Sequence, residues 1–203
     1  MQVLAVRADD KSELRNAILQ AAQDLFLEEG FEQFSMRRLA RKVGYSPTTL
    51  YNYFKDKQDL VYSLCEDLFA SYLDALQQMA DSESNPLERL KGFFLLSIRF
   101  GCSHRDHYRV AFFSPEAVYG PPEEFMSRDS LARRSYLFIR QVVADCIKAG
   151  KFRQLDPEVV TQTFLVASHG VIAAHIFWTD FPLAAPEVLG KSLLDGLLKS
   201  MLA

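Results

Sequence analysis

Apolar side chains recur every three or four positions along most of the chain, which is the spacing of one face of an α-helix. The first such segment, about Ser12–Glu29, ends at Gly30, a residue type that commonly stops a helix. A second clear start lies at Asn85, which can cap a helix, followed by Pro86 at the first helical position. No segment alternates apolar and polar residues as a half-buried strand does. The pattern therefore predicts an all-α protein.

About nine helices follow from this periodicity. They span approximately residues 12–29, 36–43, 47–53, 57–80, 86–102, 107–113, 123–149, 157–179 and 186–202. Between the sixth and seventh helices, the stretch Ser114–Glu123 contains three prolines and one glycine. These residues make it the clearest internal loop of the chain.

The composition is typical of a folded protein without a membrane span. The chain has 203 residues, of which 49% are apolar and 24% charged. Its uninterrupted apolar runs, such as Phe93–Leu96, are far shorter than the roughly 18 residues that a membrane span requires. The first ten residues have no secretory pattern, and Cys65, Cys102 and Cys146 form no CxxC pair. These features predict a cytoplasmic protein with reduced thiols and no membrane partner.

The charge is distributed unevenly. The formal net charge is −3, but the window from Ser35 to Lys57 contains six basic residues and one acidic residue. This window therefore carries +5, which leaves −8 for the remaining chain. A basic island on an acidic protein indicates a local anion-binding surface, although a solvated helix face gives the same pattern.

Residues 38–60 read RLARKVGYSPTTLYNYFKDKQDL and divide into two short helices joined by a turn. Gly44 lies at the turn, because glycine tolerates the positive φ that a sharp turn often needs. Ser46 can cap the second helix, and Pro47 suits its first position. The positions that give the two helices an apolar inner face are Leu39, Ala40, Val43, Leu50, Tyr53 and Phe54. This arrangement predicts a helix-turn-helix.

The polar residues of the second short helix suit DNA. Small hydroxyl side chains near a helix N-terminus can approach base edges and phosphates closely, and the helix end itself favours an anion. Tyr51 adds a hydroxyl on a rigid ring, and Lys57 offers a positive charge to a phosphate. The residue pattern alone also fits two core helices with a solvated basic face.

Residues 11–60 closely resemble the DNA-binding domain of the tetracycline-repressor (TetR) family of bacterial transcriptional regulators. The likeness includes the Ala-Ala-x-x-Leu-Phe of Ala21–Phe26 and the pair Gly30-Phe31, and it is most specific over Leu50–Lys57. The resemblance implies that DNA is contacted by Ser35, Arg37, Ser46, Pro47, Thr48, Thr49, Tyr51, Asn52 and Lys57. Asn52 departs from the family, which often has His there, and so does Pro47-Thr48, where Lys-Gly or a similar pair is common.

The resemblance also implies a domain organisation. Residues 1–10 are expected to form a flexible tail, residues 11–57 the helix-turn-helix domain, and residues 58–203 a larger helical domain that binds a ligand and dimerises. Aromatic residues crowd the middle helices of the larger domain, as in small-molecule pockets. The predicted pocket comprises Phe93, Phe94, Phe112, Phe113, Tyr136, Phe138, Ala167 and His169. The same rings could instead simply fill a core.

The last two helices carry small and apolar residues at helical spacing. The triplet Ser168-His169-Gly170 is similar to the His-Gly found in one C-terminal subclass of the family. The predicted dimer interface comprises Gly170, Ala174, Leu193, Leu197 and Met201. The competing interpretation is that these residues pack against other helices of the same chain.

These observations predict a homodimeric, ligand-responsive transcriptional repressor that binds a pseudo-palindromic operator and is released by a small, largely apolar effector. No enzyme activity, cofactor or metal is expected, because the chain has no nucleophile elbow, phosphate loop or metalloprotease motif. Two alternatives stay open. One is a DNA-binding protein without a ligand, and the other is a metal-dependent helical enzyme that uses Cys102, His104 and His107.

Overall fold

The computed structural model describes residues 11–30, 33–113 and 118–202, and this part of the chain forms ten helices. They are α1 (Lys11–Glu29), α2 (Met36–Val43), α3 (Pro47–Tyr51), α4 (Lys57–Ser82), α5 (Pro86–Ser103), α6 (Arg105–Phe113), α7 (Pro122–Ser127), α8 (Leu131–Lys148), α9 (Pro157–Phe177) and α10 (Pro186–Met201). The all-α prediction is confirmed. The predicted tail at residues 1–10 and part of the predicted loop, residues 114–117, lie outside the described residues.

The single helix predicted at residues 123–149 is wrong, because the chain forms α7 and α8 there. Ser130 has the extended backbone angles φ −118° and ψ 155°, which no residue inside a helix adopts. Its Oγ accepts a hydrogen bond from the Arg133 backbone N–H at 3.2 Å. Ser130 is therefore an N-cap that starts a new helix, and the helix count rises by one.

The described residues pack into two compact units. The first contains the residues up to Leu68 together with Asp106–Ser127, and the second contains Phe69–Arg105 and the residues from Arg128 onward. In the first unit, α1, α2, α3 and the start of α4 surround fully buried side chains, among them Ile18, Leu39 and Leu50. The domain boundaries predicted from the sequence, at residues 10 and 57, stay predictions.

In the second unit, α5 packs against α8, α9 and α10. Phe93, Ile98 and Val143 are among the side chains at its centre. Arg89 stabilises the C-terminal end of α4, because its guanidinium donates to the carbonyl oxygens of Ala80 at 3.1 Å and Glu83 at 2.7 Å. Such donors satisfy carbonyls that have no partner within their own helix.

Helix α9 is long and apolar enough for a membrane span by length and composition, since an 18-residue window has a mean hydropathy of 1.4. The sequence prediction considered uninterrupted apolar runs only, and so it overlooked this helix. A buried helix of a water-soluble domain gives the same signal. Because Val160, Phe164 and Ile172 are buried within the second unit, we interpret α9 as a core helix.

The N-cap at Ser130 gives the first prediction. Ser130→Ala removes the oxygen that accepts from Arg133, so we expect the free energy of unfolding to fall by about 1 kcal/mol. Chemical denaturation checks the value. The matched control is Ser103→Ala at the exposed end of α5, for which we expect a change within about 0.5 kcal/mol. Equal effects of the two substitutions would contradict the capping role.

Candidate nucleic-acid interface

The turn between α2 and α3 depends on one glycine. Gly44 follows α2 with φ 76° and ψ 23°, the left-handed conformation that favours glycine. After this turn the Tyr45 N–H donates back to the carbonyl of Ala40 at 3.0 Å. At the other end of α2, Ser35 is the N-cap and its Oγ accepts from the Arg38 N–H at 3.3 Å. Ser35 therefore has a structural role besides the DNA contact implied by the resemblance.

Helix α3 starts from a second serine cap. Ser46 Oγ accepts from the Thr49 N–H at 3.1 Å, and it lies 2.9 Å from the Thr49 hydroxyl. Pro47 occupies the first helical position. The helix ends at Tyr51, two residues before the predicted end, because the chain tightens into a turn in which the Tyr53 N–H donates to the Leu50 carbonyl.

One side of α3 is anchored in the core, and the other side is open. Leu50 and Phe54 are completely or almost completely buried. Five predicted contact residues of α3 and its two caps are exposed, namely Ser46, Pro47, Thr48, Tyr51 and Asn52, and Thr49 is half-buried. Tyr51 is 51% exposed. The exposed residues Pro47, Thr48, Tyr51 and Asn52 thus share one accessible side of this short segment.

The basic side chains of α2 fall into two classes. Arg38 pairs with Glu29 at 2.5 Å, and Lys42 pairs with Glu28 at 2.9 Å. Both acids lie at the end of α1, so these two pairs join α1 to α2.

Arg37 and Arg41 are exposed, and neither forms an ion pair with any residue that the structure describes. Because they are four residues apart in a helix, they share one face. Arg41 is absent from the set implied by the resemblance, although its spacing from Arg37 is a signal that the sequence contains. These two guanidinium groups are available to an anion.

The start of α4 is built around two acids. Asp56 Oδ1 accepts from the Asp59 N–H at 2.8 Å, and Asp59 Oδ2 accepts from the Lys55 N–H at 2.8 Å. These two bonds form a capping arrangement that the sequence interpretation missed, although the spacing Asp-x-x-Asp indicates it. Lys57, the first residue of α4, is half-buried, and its Nζ lies 5.8 Å from the centre of the Phe34 ring.

Six of the eight predicted pocket residues belong to the second unit. Phe93 and Phe94 are buried, and their rings lie 5.5 Å from Phe138 and 5.6 Å from Phe164, respectively. The cavity bordered by Phe93, Phe94 and Phe164 measures only about 10 Å³. Small-molecule pockets measure roughly 300–1,000 Å³. In this conformation the rings therefore fill a core, and a ligand must separate them to enter.

The remaining pocket residues are dispersed. Tyr136 Oη donates to the Glu158 carboxylate, Ala167 packs against the core, and His169 is half-buried. Burial lowers the pKa of His169, so its imidazole is neutral at neutral pH. Phe112 and Phe113, 47% and 40% exposed, belong to the first unit on α6.

A polar pair in the second core was not predicted. The hydroxyl oxygens of Tyr72 and Ser97 lie 2.5 Å apart, and Ser97 donates to the Phe93 carbonyl at 2.7 Å. Burial raises the pKa of Tyr72 to about 12, so the phenol stays protonated. Ser97 also borders the small cavity.

The predicted dimer residues differ in exposure. Gly170 is exposed, and a Cβ at this position would meet no atom within 4 Å. Leu193 is 41% exposed, and Ala174 is half-buried. Met201 is only 8% exposed within the second core, against which Leu197 also packs. The most exposed large apolar residue of α9 is Val166, 72% exposed, one turn before Gly170.

The candidate metal ligands have other partners. His104 Nδ1 lies 2.9 Å from the Phe100 carbonyl, and His107 Nδ1 lies 2.8 Å from Gln23 Nε2. Burial raises the pKa of the Cys102 thiol, which disfavours a thiolate ligand. Across residues 11–30, 33–113 and 118–202 no three His, Cys, Asp or Glu side chains are grouped so as to hold a metal ion.

Comparison with known proteins gives consistent results. Residues 18–64 match the family described as bacterial regulatory proteins, tetR family. Over 152 residues, the chain is 31% identical to the HTH-type transcriptional repressor KstR2 of Mycolicibacterium smegmatis, a match that covers 72% of this chain and 71% of the repressor.

Two solved structures have the same fold. The ketosteroid transcriptional regulator KstR2 of Mycobacterium tuberculosis has a TM-score of 0.69 at 21% identity, with 94% of this chain and 95% of that chain covered. AibR, solved in complex with isovaleryl coenzyme A and operator DNA, has a TM-score of 0.71 at 17% identity, with 91% and 97% covered.

Proposed function

This chain belongs to the tetR family of bacterial regulatory proteins, and we propose that it is a cytoplasmic, homodimeric repressor that a small, largely apolar effector releases from its operator. As a member of this family it is a DNA-binding transcriptional regulator and not an enzyme. The metal-dependent enzyme considered from the sequence is therefore wrong. The observation that carries the proposal is the exposed surface of α3, which is held in place by the Gly44 turn and the Ser46 cap.

The exposure and charge of the side chains indicate a proposed division into those that contact bases and those that contact phosphates. The side chains of Thr48, Tyr51 and Asn52 project from α3 and would contact base edges in the major groove. Phosphates would be bound by Arg37, together with Lys57 at the start of α4. Arg41 joins this set, because it shares the open face of α2.

A salt titration tests this division. Arg37→Gln and Arg41→Gln are each expected to lower the slope of log K against log salt concentration by about 0.9, because each removes one phosphate contact. The same loss is expected for Lys57→Ala. The binding constant would be measured for operator DNA at several salt concentrations.

The matched control is Lys42→Gln, which removes the same charge from the same helix. Since Lys42 pairs with Glu28, we expect its substitution to leave the slope near the wild-type value. If Lys42→Gln lowers the slope of log K against log salt concentration as much as Arg37→Gln does, Lys42 binds a phosphate in spite of its ion pair with Glu28.

The proposed homodimer uses exposed residues of α9 and α10. Val166, Gly170 and Leu193 are exposed, and Ala174, one turn after Gly170 on α9, is half-buried. Leu197 and Met201 would support this surface from the core beneath. A two-fold axis would present two copies of α3 to successive major grooves, about 34 Å apart, which explains why we expect a pseudo-palindromic operator.

Gly170→Arg tests the dimer. Because Gly170 is exposed and a Cβ at this position meets nothing within 4 Å in one chain, we expect the variant to fold with unchanged helical circular dichroism. In a close dimer interface the long charged side chain has no room, so sedimentation should show a monomer. The control is Gln141→Arg on the exposed face of α8, which should remain dimeric. A folded Gly170→Arg dimer would place the interface elsewhere.

The proposed effector is largely apolar, because the rings around the small cavity offer few polar groups. Two regulators of the same fold support a ligand-responsive function. One is described as a ketosteroid regulator, and the other was solved with isovaleryl coenzyme A. Because the cavity of this conformation is small, the effector would stabilise a more open arrangement of the rings and act by its differential affinity for that conformation.

Ser168→Phe tests the effector site, because Ser168 borders the small cavity. The larger side chain would occupy the space that a ligand needs, so we expect normal operator binding but no release by alkanols or a steroid that release the wild type. Fluorescence anisotropy of labelled operator DNA provides both readouts. Release of wild-type DNA only by highly charged metabolites, or by no compound, would contradict the proposal.

A further inference from the structure

One exposed face of α9 carries no formal charge. From Val159 to Phe177 the helix contains no Asp, Glu, Lys or Arg. Val159, Gln162, Val166, Gly170 and Phe177 are all exposed, and at about 100° per residue they share one face. This face is about 27 Å long at the rise of an α-helix. Because the exposed face of a surface helix is normally polar and charged, an uncharged face of this length indicates a surface that another protein covers.

This face borders an open groove of about 290 Å³ between the start of α9 and the end of α10. Cavities of roughly 150 Å³ accept a benzene ring, so the groove has room for an aromatic side chain. Its lining combines the apolar residues Leu155, Val159, Val160 and Met201 with the oxygen acceptors of Asp156, Thr163 and Ser200. Since the N–H of a buried indole needs an acceptor, this lining suits a tryptophan.

The other end of α9 leads into a segment with two exposed rings, Trp178–Phe181, which we call the aromatic turn. Trp178 and Phe181 are 59% and 61% exposed, and their ring centroids lie 6.0 Å apart. Together with Phe177 they expose roughly 300 Å² of surface. The uncharged face of α9 adds to this area, toward the roughly 800 Å² that each partner contributes to a standard interface. Exposed aromatic side chains are typical anchors of such interfaces.

The exposed positions of α9 are symmetric about position 168. Val166 and Gly170 lie two residues to either side of it, and Val159 and Phe177 lie nine residues to either side. Two copies of α9 that pair antiparallel across a two-fold axis at this level place Val166 against Gly170, where one chain leaves space beyond the backbone. They also place the groove of each copy beside the aromatic turn of the other. An isologous interface requires this kind of self-complementarity.

A parallel pair has neither advantage. Each residue would meet its own copy, so that Val166 faces Val166, and the two grooves would face each other without a ring to fill them. The positions of the groove and the aromatic turn at opposite ends of α9 therefore favour the antiparallel arrangement.

We propose that two copies of this chain pair with their α9 helices antiparallel, and that Trp178 and Phe181 of each copy occupy the groove at the start of α9 in the other. This inference rests on the proposed homodimer and specifies its register and its anchors.

Trp178 is the single tryptophan of the chain, and so its fluorescence reports on this contact. Trp178 is exposed in one chain and becomes buried in the proposed dimer. Its emission should therefore lie at shorter wavelength in the wild-type dimer than in the Gly170→Arg monomer, and acrylamide should quench it less. Trp178→Ala should raise the dissociation constant of the dimer by about thirtyfold, as for a central interface residue. Sedimentation of a dilution series measures this constant.

Val159→Asp tests the groove, and Val188→Asp is its matched control. Both valines are the third residue of their helix, after Pro-Glu, and they are 58% and 59% exposed. An acid in the first turn of a helix does not destabilise it. Only Val159 lines the groove. Val159→Asp should therefore weaken the dimer and move the Trp178 emission to longer wavelength, whereas Val188→Asp should change neither.

Cross-linking tests the register. In the antiparallel pair, position 159 of one copy faces position 177 of the other, while the two copies of position 159 are about 27 Å apart. A short bis-maleimide should therefore cross-link co-expressed Val159→Cys and Phe177→Cys chains, but neither variant on its own, with the wild type as the background for the native thiols. Cross-linking of either variant alone would indicate a parallel pair and overturn the register.

The remaining outcomes distinguish the two proposals. If the wild type is a dimer whose Trp178 emission and quenching equal those of the Gly170→Arg monomer, or if Val159→Asp dimerises as tightly as the wild type, the anchors are overturned and the homodimer remains. A folded Gly170→Arg dimer overturns the register, because Val166 of the other copy leaves no room for the arginine. If the wild type sediments as a monomer at every concentration, both proposals are overturned.

Discussion

Helix α4 supplies buried side chains to both hydrophobic cores, and the rest of the structure depends on this shared element. Leu60 and Leu64, in its first half, pack with α1, α2 and α3. Tyr72 and Leu76, in its second half, pack with α5. An α-helix is a continuous ladder of hydrogen bonds. A ligand that repacks the second core around Tyr72 would therefore act on a helix whose first residue is Lys57, one of the proposed phosphate contacts.

Local signals predicted the helix-turn-helix, because each of them acts within a few residues. Gly44 permits the left-handed turn, and Pro47 fixes the first position of α3. Ser46 caps this helix by accepting from the backbone N–H of Thr49, three residues later. The spacing of apolar residues likewise predicted the anchoring of Leu50 in the core. None of these features needs information about distant parts of the chain.

Pairings between distant residues could not be predicted in this way. Arg38 and Arg37 are adjacent and look equivalent in the sequence, yet only Arg38 meets an acid from α1, Glu29. Similarly, Phe112 and Phe93 are both apolar aromatics in middle helices, but tertiary packing assigns them to different compact units. Periodicity indicates which face of a helix is apolar, whereas the element against which that face packs is decided by the whole fold.

The hydroxyl groups at α3 divide into those that build the helix and those that are exposed. Ser46 Oγ accepts from the Thr49 N–H and also lies 2.9 Å from the Thr49 hydroxyl, so each of these side chains restricts the other. A side chain held in this way helps to fix the position of the helix. Because it is held, the side chain is less free to adapt to different bases. We therefore propose that sequence discrimination falls to Thr48, Tyr51 and Asn52, whose side chains are exposed on a helix that the serine cap fixes at its N-terminus.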